Sequence, residues 1–87
     1  MILINKKGLK IDFNPREVRE ELLRGTGAVM GETCAIYMEN TNFRDQQIAV
    51  ARSGEGHSPG ECVFFEVQEY DQAWRKFVEW QPGPAQP

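Results

Sequence analysis

The sequence predicts a small α+β domain in which two helices pack on one face of an antiparallel sheet. Three observations lead to this prediction. Apolar residues alternate with polar residues in several short segments, as is typical of strands. Two further segments repeat their apolar residues at helical spacing. Turn-forming residues separate all of these segments. The predicted order is β-β-α-β-β-β-α, and the sheet contains two hairpins and one further strand.

A hairpin is predicted for residues 1–13. Apolar residues alternate on both sides of an Asn-Lys-Lys-Gly turn. Gly8 can adopt the positive φ that such a turn requires, because it has no Cβ. The first two strands are therefore expected to be adjacent in the sheet.

The first helix is predicted for residues 14–25. Asn14 suits the N-cap, because its side-chain oxygen can accept hydrogen bonds from N–H groups of the first turn. Pro15 suits the first helical position, and Glu17 completes a pair that resembles a capping box. Gly25 is expected to end the helix in a left-handed conformation.

Three more strands are predicted in the second half of the chain. Residues 26–33 are glycine-rich and are expected to form a connector. Residues 34–39 are expected to form one strand, and residues 46–52, in which Ile48 and Val50 share a face, another. The two are expected to pair as a second hairpin. After a loop at residues 53–61, residues 62–68 supply the last strand.

The second helix is predicted for residues 70–80. Its apolar stripe, at helical spacing, consists of Tyr70, Trp74, Phe77 and Val78. Trp74 is expected in the core, whereas Trp80 comes just before a proline-rich end and is expected to be partly exposed. The chain therefore divides into one α+β domain at residues 1–80 and a flexible proline-rich tail at residues 81–87.

Composition and charge favour some classes of partner over others. The chain has 87 residues and a net charge of −3, with its basic residues concentrated in residues 1–25. An acidic remainder argues against binding to a nucleic-acid backbone. No apolar run reaches the roughly 20 residues that span a bilayer, and no signal peptide is recognisable. We therefore expect no nucleic-acid or membrane partner, a cytoplasmic location, and reduced thiols at Cys34 and Cys62.

The sequence offers little for catalysis. His57 is the only histidine, and Cys34 and Cys62 are the possible nucleophiles. Glu55 and Glu61 lie close to His57 and Cys62 in the sequence, and nearby carboxylates favour the thiol over the reactive thiolate. The spacing of these residues matches no zinc motif. We therefore expect no catalytic residue, no metal and no cofactor.

An exposed aromatic surface is the main functional feature that the sequence predicts. Phe64 should point away from the face that carries Val63 and Phe65, and Phe64, Tyr37 and Trp80 are the candidate partner-binding residues. The leading hypothesis is a non-enzymatic protein–protein interaction module with a regulatory role, acting as a homo-oligomer. One alternative is a small inhibitor, from a phage or mobile element, of a host or defence protein. A cysteine-dependent enzyme is the less favoured alternative.

Four segments of the second half also carry a family resemblance. They are CAIY at residues 34–37, IAVARS at 48–53, CVFF at 62–65 and AWRKFV at 73–78. Over residues 33–80 the chain resembles the DUF397 family, whose members are small, mostly actinobacterial proteins often encoded beside helix-turn-helix regulators. The resemblance implies a regulatory, protein-binding role, for instance with a helix-turn-helix transcription regulator. It implies no catalysis and transfers no catalytic residue.

Overall fold

Six antiparallel strands form one sheet, and two helices pack on one of its faces. The structure is a computed structural model, and it describes residues 2–40, 46–54 and 60–82. The strands are β1 (Leu3–Asn5), β2 (Lys10–Ile11), β3 (Ala28–Met30), β4 (Cys34–Asn40), β5 (Gln46–Arg52) and β6 (Glu61–Glu66). The helices are α1 (Pro15–Arg24) and α2 (Tyr70–Glu79), with a short 3₁₀ helix (Val67–Glu69) before α2. The predicted α+β class and antiparallel sheet are confirmed.

The strand order is β2-β1-β3-β4-β5-β6. Strand β3 was not predicted, because its three residues lie within the stretch interpreted as a connector. In the structure Val29 is paired with Asn5 of β1 on one side and with Ile36 of β4 on the other. This short strand therefore joins the two predicted hairpins into a single sheet.

Helix α1 begins where the sequence predicts it and ends differently. The side-chain oxygen of Asn14 accepts hydrogen bonds from the N–H groups of Arg16 at 2.9 Å and Glu17 at 3.2 Å. A cap of this kind contributes about 1 kcal/mol. The expectation of a left-handed Gly25 was wrong, since its φ is −106°. The left-handed turn comes two residues later, at Gly27 with a φ of 83°.

The hydrophobic core lies between the helices and one face of the sheet. Its fully or almost fully buried aliphatic and aromatic residues include Leu3, Val18, Leu22, Val29, Ile36, Ile48, Val50, Tyr70 and Phe77. The hydroxyl of Tyr70 also donates a hydrogen bond of 2.7 Å to the carbonyl of Pro15, which ties the first turns of the two helices together. No helix among the described residues is long and apolar enough to cross a membrane.

Helix α2 presents a different side to the core from the one predicted. Tyr70, Ala73, Phe77 and Trp80 are buried, whereas Val78 is 40% exposed. The small Ala73 side chain lets this side of the helix approach the sheet, and Trp80 follows Phe77 by three residues on the same side. The expectation of a partly exposed Trp80 was wrong, because only 8% of it is exposed.

A carboxylate outside the core holds three segments together. Glu21 on α1 accepts hydrogen bonds from the backbone N–H of Thr26 at 2.7 Å and from its hydroxyl at 2.6 Å. The side-chain amide of Asn5 donates a third bond, at 3.3 Å. These bonds favour the ionised carboxylate, and those from Thr26 contribute most to holding the pKa of Glu21 below its usual value.

We expect Glu21→Gln to destabilise the protein at neutral pH and to do so less as the pH falls. A lowered folded-state pKa means that the stabilisation is fully present above the unfolded pKa of about 4.3. The stabilisation is then lost as the pH falls through the lower folded-state value. Urea unfolding of both proteins at a series of pH values from 7 downward measures the difference.

Glu20→Gln is the matched control, because Glu20 is the neighbouring residue and pairs with Arg24, at 3.7 Å on the exposed side of α1. Exposed pairs of this kind contribute at most about 1 kcal/mol. A loss of stability in Glu21→Gln that is constant across the pH series would contradict the role assigned to the ionised carboxylate.

Candidate functional site

The sheet face opposite the helices carries an apolar surface, which we call the open face. Side chains alternate between the two faces of a strand, so the neighbours of the core residues point to this side. The open face comprises Ile4, Ala28, Met30, Ala35, Tyr37, Ala49, Ala51, Cys62 and Phe64. Within the described parts of the chain, neither helix packs on it.

Two rows of uncharged residues cross the open face from strand to strand. The first row, from β1 to β6, contains Ile4, Met30, Ala35, Ala51 and Cys62. The second row, from β3 to β6, contains Ala28, Tyr37, Ala49 and Phe64. The two rows together form an uninterrupted apolar surface that extends across five neighbouring strands.

Charged and polar residues border these two rows. Glu39, Gln47 and Glu66 form the next row on the same face, where β4 and β6 end and β5 begins. At a lateral edge of the sheet, Lys10 of β2 is paired with Ile4 of β1. The open face therefore has an apolar centre with a polar border that is acidic on one side and basic on another.

Tyr37 lies across the middle of the open face. Its hydroxyl is 3.9 Å from the sulfur of Cys62, two strands away, so the side chain spans β5. This position explains why Ala49, which lies between them on β5, is fully buried although no helix covers it. Burial raises the pKa of Tyr37, and the contact with Cys62 and the charge of Glu39 raise it further. The phenol is therefore neutral at physiological pH.

The structure brings together two of the three residues singled out from the sequence. Phe64 is 49% exposed, and it shares a row of the open face with Tyr37. Trp80 lies on the other side of the sheet, in the core. Its ring is covered by the guanidinium group of Arg52, 4.4 Å from the ring centre. Trp80 therefore does not belong to the same surface as Phe64 and Tyr37.

Sequence reasoning missed most of the open face. Met30 and Ala28 lie on β3, which was not predicted, so nothing placed them beside Tyr37. Ala35 and Ala51 alternate correctly with their neighbours, but an alanine in a strand does not by itself indicate a contact surface. The alternation of Ala35 with Ile36 and of Ala51 with Val50 could have placed both alanines away from the core.

Cys34 is buried at one end of the core. The side-chain amide of Gln81 donates hydrogen bonds to the sulfur of Cys34 at 3.1 Å and to the carbonyl of Phe77, also at 3.1 Å. Burial raises the pKa of the Cys34 thiol, and the charge of Arg52 opposes this only in part. Cys34 is therefore held as a neutral thiol, which is a poor nucleophile.

Gln81 also changes the predicted domain boundary. The tail was expected to begin at residue 81, but Gln81 is only 9% exposed and bonds to two core residues. The packed domain therefore extends through Gln81. The rest of the predicted tail, from residue 83 onward, lies outside the described residues.

The structure describes only some of the residues that a cysteine-dependent enzyme would use. His57 and Glu55 lie outside the described residues, whereas Cys62 is exposed on the open face and Cys34 is buried. Glu61 accepts a hydrogen bond of 2.7 Å from Arg52. In the described ranges, no three His, Cys, Asp or Glu side chains are grouped so that they could hold a metal ion.

A shallow depression of about 350 Å³ lies beside Cys34, between the turn that joins β3 to β4 and the end of β5. Its charged residues are Glu32 and Arg52, and Arg52 is already engaged by Glu61 and by the ring of Trp80. The depression therefore offers a ligand fewer free polar groups than its lining residues would suggest. The open face is the more extensive candidate site.

Comparisons of the chain with protein-family models, with curated proteins and with solved structures find no match. The resemblance of residues 33–80 to the DUF397 family consequently stays an expectation from the sequence.

Proposed function

We propose that this chain is a non-enzymatic protein–protein interaction module with a regulatory role and that it binds protein through the open face. One observation carries the proposal: two rows of uncharged side chains, one across five strands and one across four, lie on the side of the sheet away from the helices. Contiguous exposed apolar surfaces of this kind commonly mark sites of protein interaction.

The composition of the open face supports a protein partner. Tyr37, Phe64 and Met30 are of residue types that are enriched in the buried centres of protein interfaces. Charged residues are depleted in such centres and common around them, which matches the border formed by Glu39 and Glu66. The open face therefore has the arrangement of an interface centre with a polar rim.

The non-enzymatic part of the proposal rests on the state of the cysteines. Cys34 is buried as a neutral thiol, and Cys62 lies on the open face beside the neutral phenol of Tyr37. Among the residues that the structure describes, neither arrangement supplies the base that activates a nucleophilic cysteine. We place the module in the cytoplasm, where the exposed Cys62 would remain reduced.

A pair of matched substitutions tests this function. Phe64→Glu adds a charge to the open face, whereas Val78→Glu adds the same charge to α2, on the other side of the sheet. The two side chains are 49% and 40% exposed, so we expect both variants to fold, which circular dichroism will check. Each tagged variant and the wild type are then used to capture proteins from the cells of origin, with quantitative mass spectrometry.

We expect proteins that bind the wild type to be lost with Phe64→Glu and retained with Val78→Glu. Retention of every bound protein by Phe64→Glu would contradict the open face as the binding surface. The absence of any protein enriched above a tag-only control would contradict the interaction module itself.

A further inference from the structure

We propose that the open face binds a second copy of the chain, in a two-fold symmetric dimer in which the two sheets pack face to face. This inference rests on the proposed function and names the partner. The symmetry axis runs along the strands, between β3 and β4. It places β3 of one copy over β4 of the other and β1 of one copy over β5 of the other.

The sizes of the side chains in the first row support this axis. Ile4 and Met30 are large and lie on β1 and β3, whereas Ala35 and Ala51 are small and lie on β4 and β5. The axis brings Met30 over Ala35 of the second copy, and symmetry repeats each contact in reverse. Large residues opposite small ones allow two layers to interdigitate.

The second row shows the same complementarity with the sizes reversed. Here the small residue, Ala28, lies on β3 and the large residue, Tyr37, on β4. The axis therefore brings Ala28 over Tyr37 of the second copy. In sheets that pack in this aligned manner, the strand directions of the two sheets differ by about 30°. Close to the symmetry axis, this rotation leaves Ala28 near Tyr37 of the second copy.

The charges at one end of the sheet complement each other under the same axis. Strands β1, β4 and β6 run in the same direction, because each is separated from the next by one antiparallel strand. The turn after β1, with Lys6 and Lys7, is therefore at the same end as Glu39 and Glu66. The axis brings the turn of one copy over β5 and β6 of the other, so the lysines approach Glu66.

The extent of the open face fits a reversible dimer. The six strands contain 28 residues in all, and at about 3.3 Å per residue and about 4.8 Å between strands they give a face of roughly 450 Å² in projection. Specific interfaces bury about 600–1,000 Å² of accessible surface on each partner, and accessible surface exceeds its flat projection. We therefore expect monomers and dimers in equilibrium rather than an obligate dimer.

Sedimentation equilibrium of the purified chain tests the dimer. We expect the mass to rise from the 10.0 kDa of the monomer toward twice that value as the protein concentration increases. Met30→Glu, close to the axis, should raise the dissociation constant at least about tenfold, as truncation or charging of a central interface residue commonly does. Val78→Glu, on α2, should leave the dissociation constant unchanged.

Charge reversal tests the orientation of the two copies. Glu66→Lys should weaken the dimer at low salt, and the double substitution Lys6→Glu with Lys7→Glu should weaken it too. All three changes in one chain should restore most of the affinity. A dimer insensitive to Met30→Glu would overturn the proposed surface, and a triple variant weaker than both others would overturn the proposed axis.

A wild-type chain that remains at 10.0 kDa at several hundred micromolar would overturn the dimer. That result would leave the interaction module intact if another protein still bound the wild type and was lost with Phe64→Glu. Failure of both experiments would overturn the module and the dimer together.

Discussion

Phe77→Ala is expected to lower the free energy of unfolding by about 3–5 kcal/mol, which is the usual cost of removing a buried aromatic side chain. Phe77 is completely buried at the centre of the cluster that joins α2 to the sheet. Domains of this size have a total stability of about 5–10 kcal/mol, so a large part of the variant should be unfolded at 37 °C. Urea unfolding followed by circular dichroism measures the change.

Val78→Ala is the control for Phe77→Ala. Val78 is the next residue in α2, and its side chain is 40% exposed. Its truncation should change the stability by less than about 1 kcal/mol. Similar losses in the two variants would show that α2 is rotated from the orientation that buries Phe77 and exposes Val78.

Trp80→Ala is expected to cost about 3–5 kcal/mol and more than Trp74→Ala. Trp80 is 8% exposed, and the side chains of Arg52 and Lys76 lie over its ring at 4.4 and 5.4 Å from the centre. Trp74 is only partly buried and contacts Phe13, which is itself 42% exposed, at 5.1 Å between ring centres. The same urea experiment compares the two variants.

The sequence alone leads to the reverse order, with Trp74 in the core and Trp80 free to contact a partner. A folded Trp80→Ala protein combined with an unfolded Trp74→Ala protein would support that order and contradict the burial of Trp80. Lys76→Ala removes one of the cations over the ring while keeping the indole, and it should cost much less than Trp80→Ala.

The elements with a strong local pattern could be predicted from the sequence. Strands β4 and β5 are seven residues long and each contains a run of apolar residues, and the N-cap of α1 at Asn14 follows from local chemistry. Strand β3 could not be predicted in this way, because three residues are too few to show a period. Its conformation is fixed by pairing with β1 and β4, and that information is not local.

Only the part of the candidate site that depends on a local pattern could be predicted from the sequence. Alternation within β6 places Phe64 on the side away from Val63, which the structure agrees with. Placing Met30 and Ile4 beside the same surface requires the strand order, which the sequence does not reveal. Trp80 was misplaced because its position before Pro82 suggested a frayed end, whereas contacts with the end of the sheet hold it in the core.

The strand order has a consequence for the path by which the chain folds. Strands β4, β5 and β6 and helix α2 are consecutive in the sequence and adjacent in space, so they can assemble by closing short loops. Strands β1 and β2 join this half only through β3, after α1 has brought the chain back across β1. We therefore expect the C-terminal half to form first and the pairing of β3 with β1 to be a late, rate-limiting step.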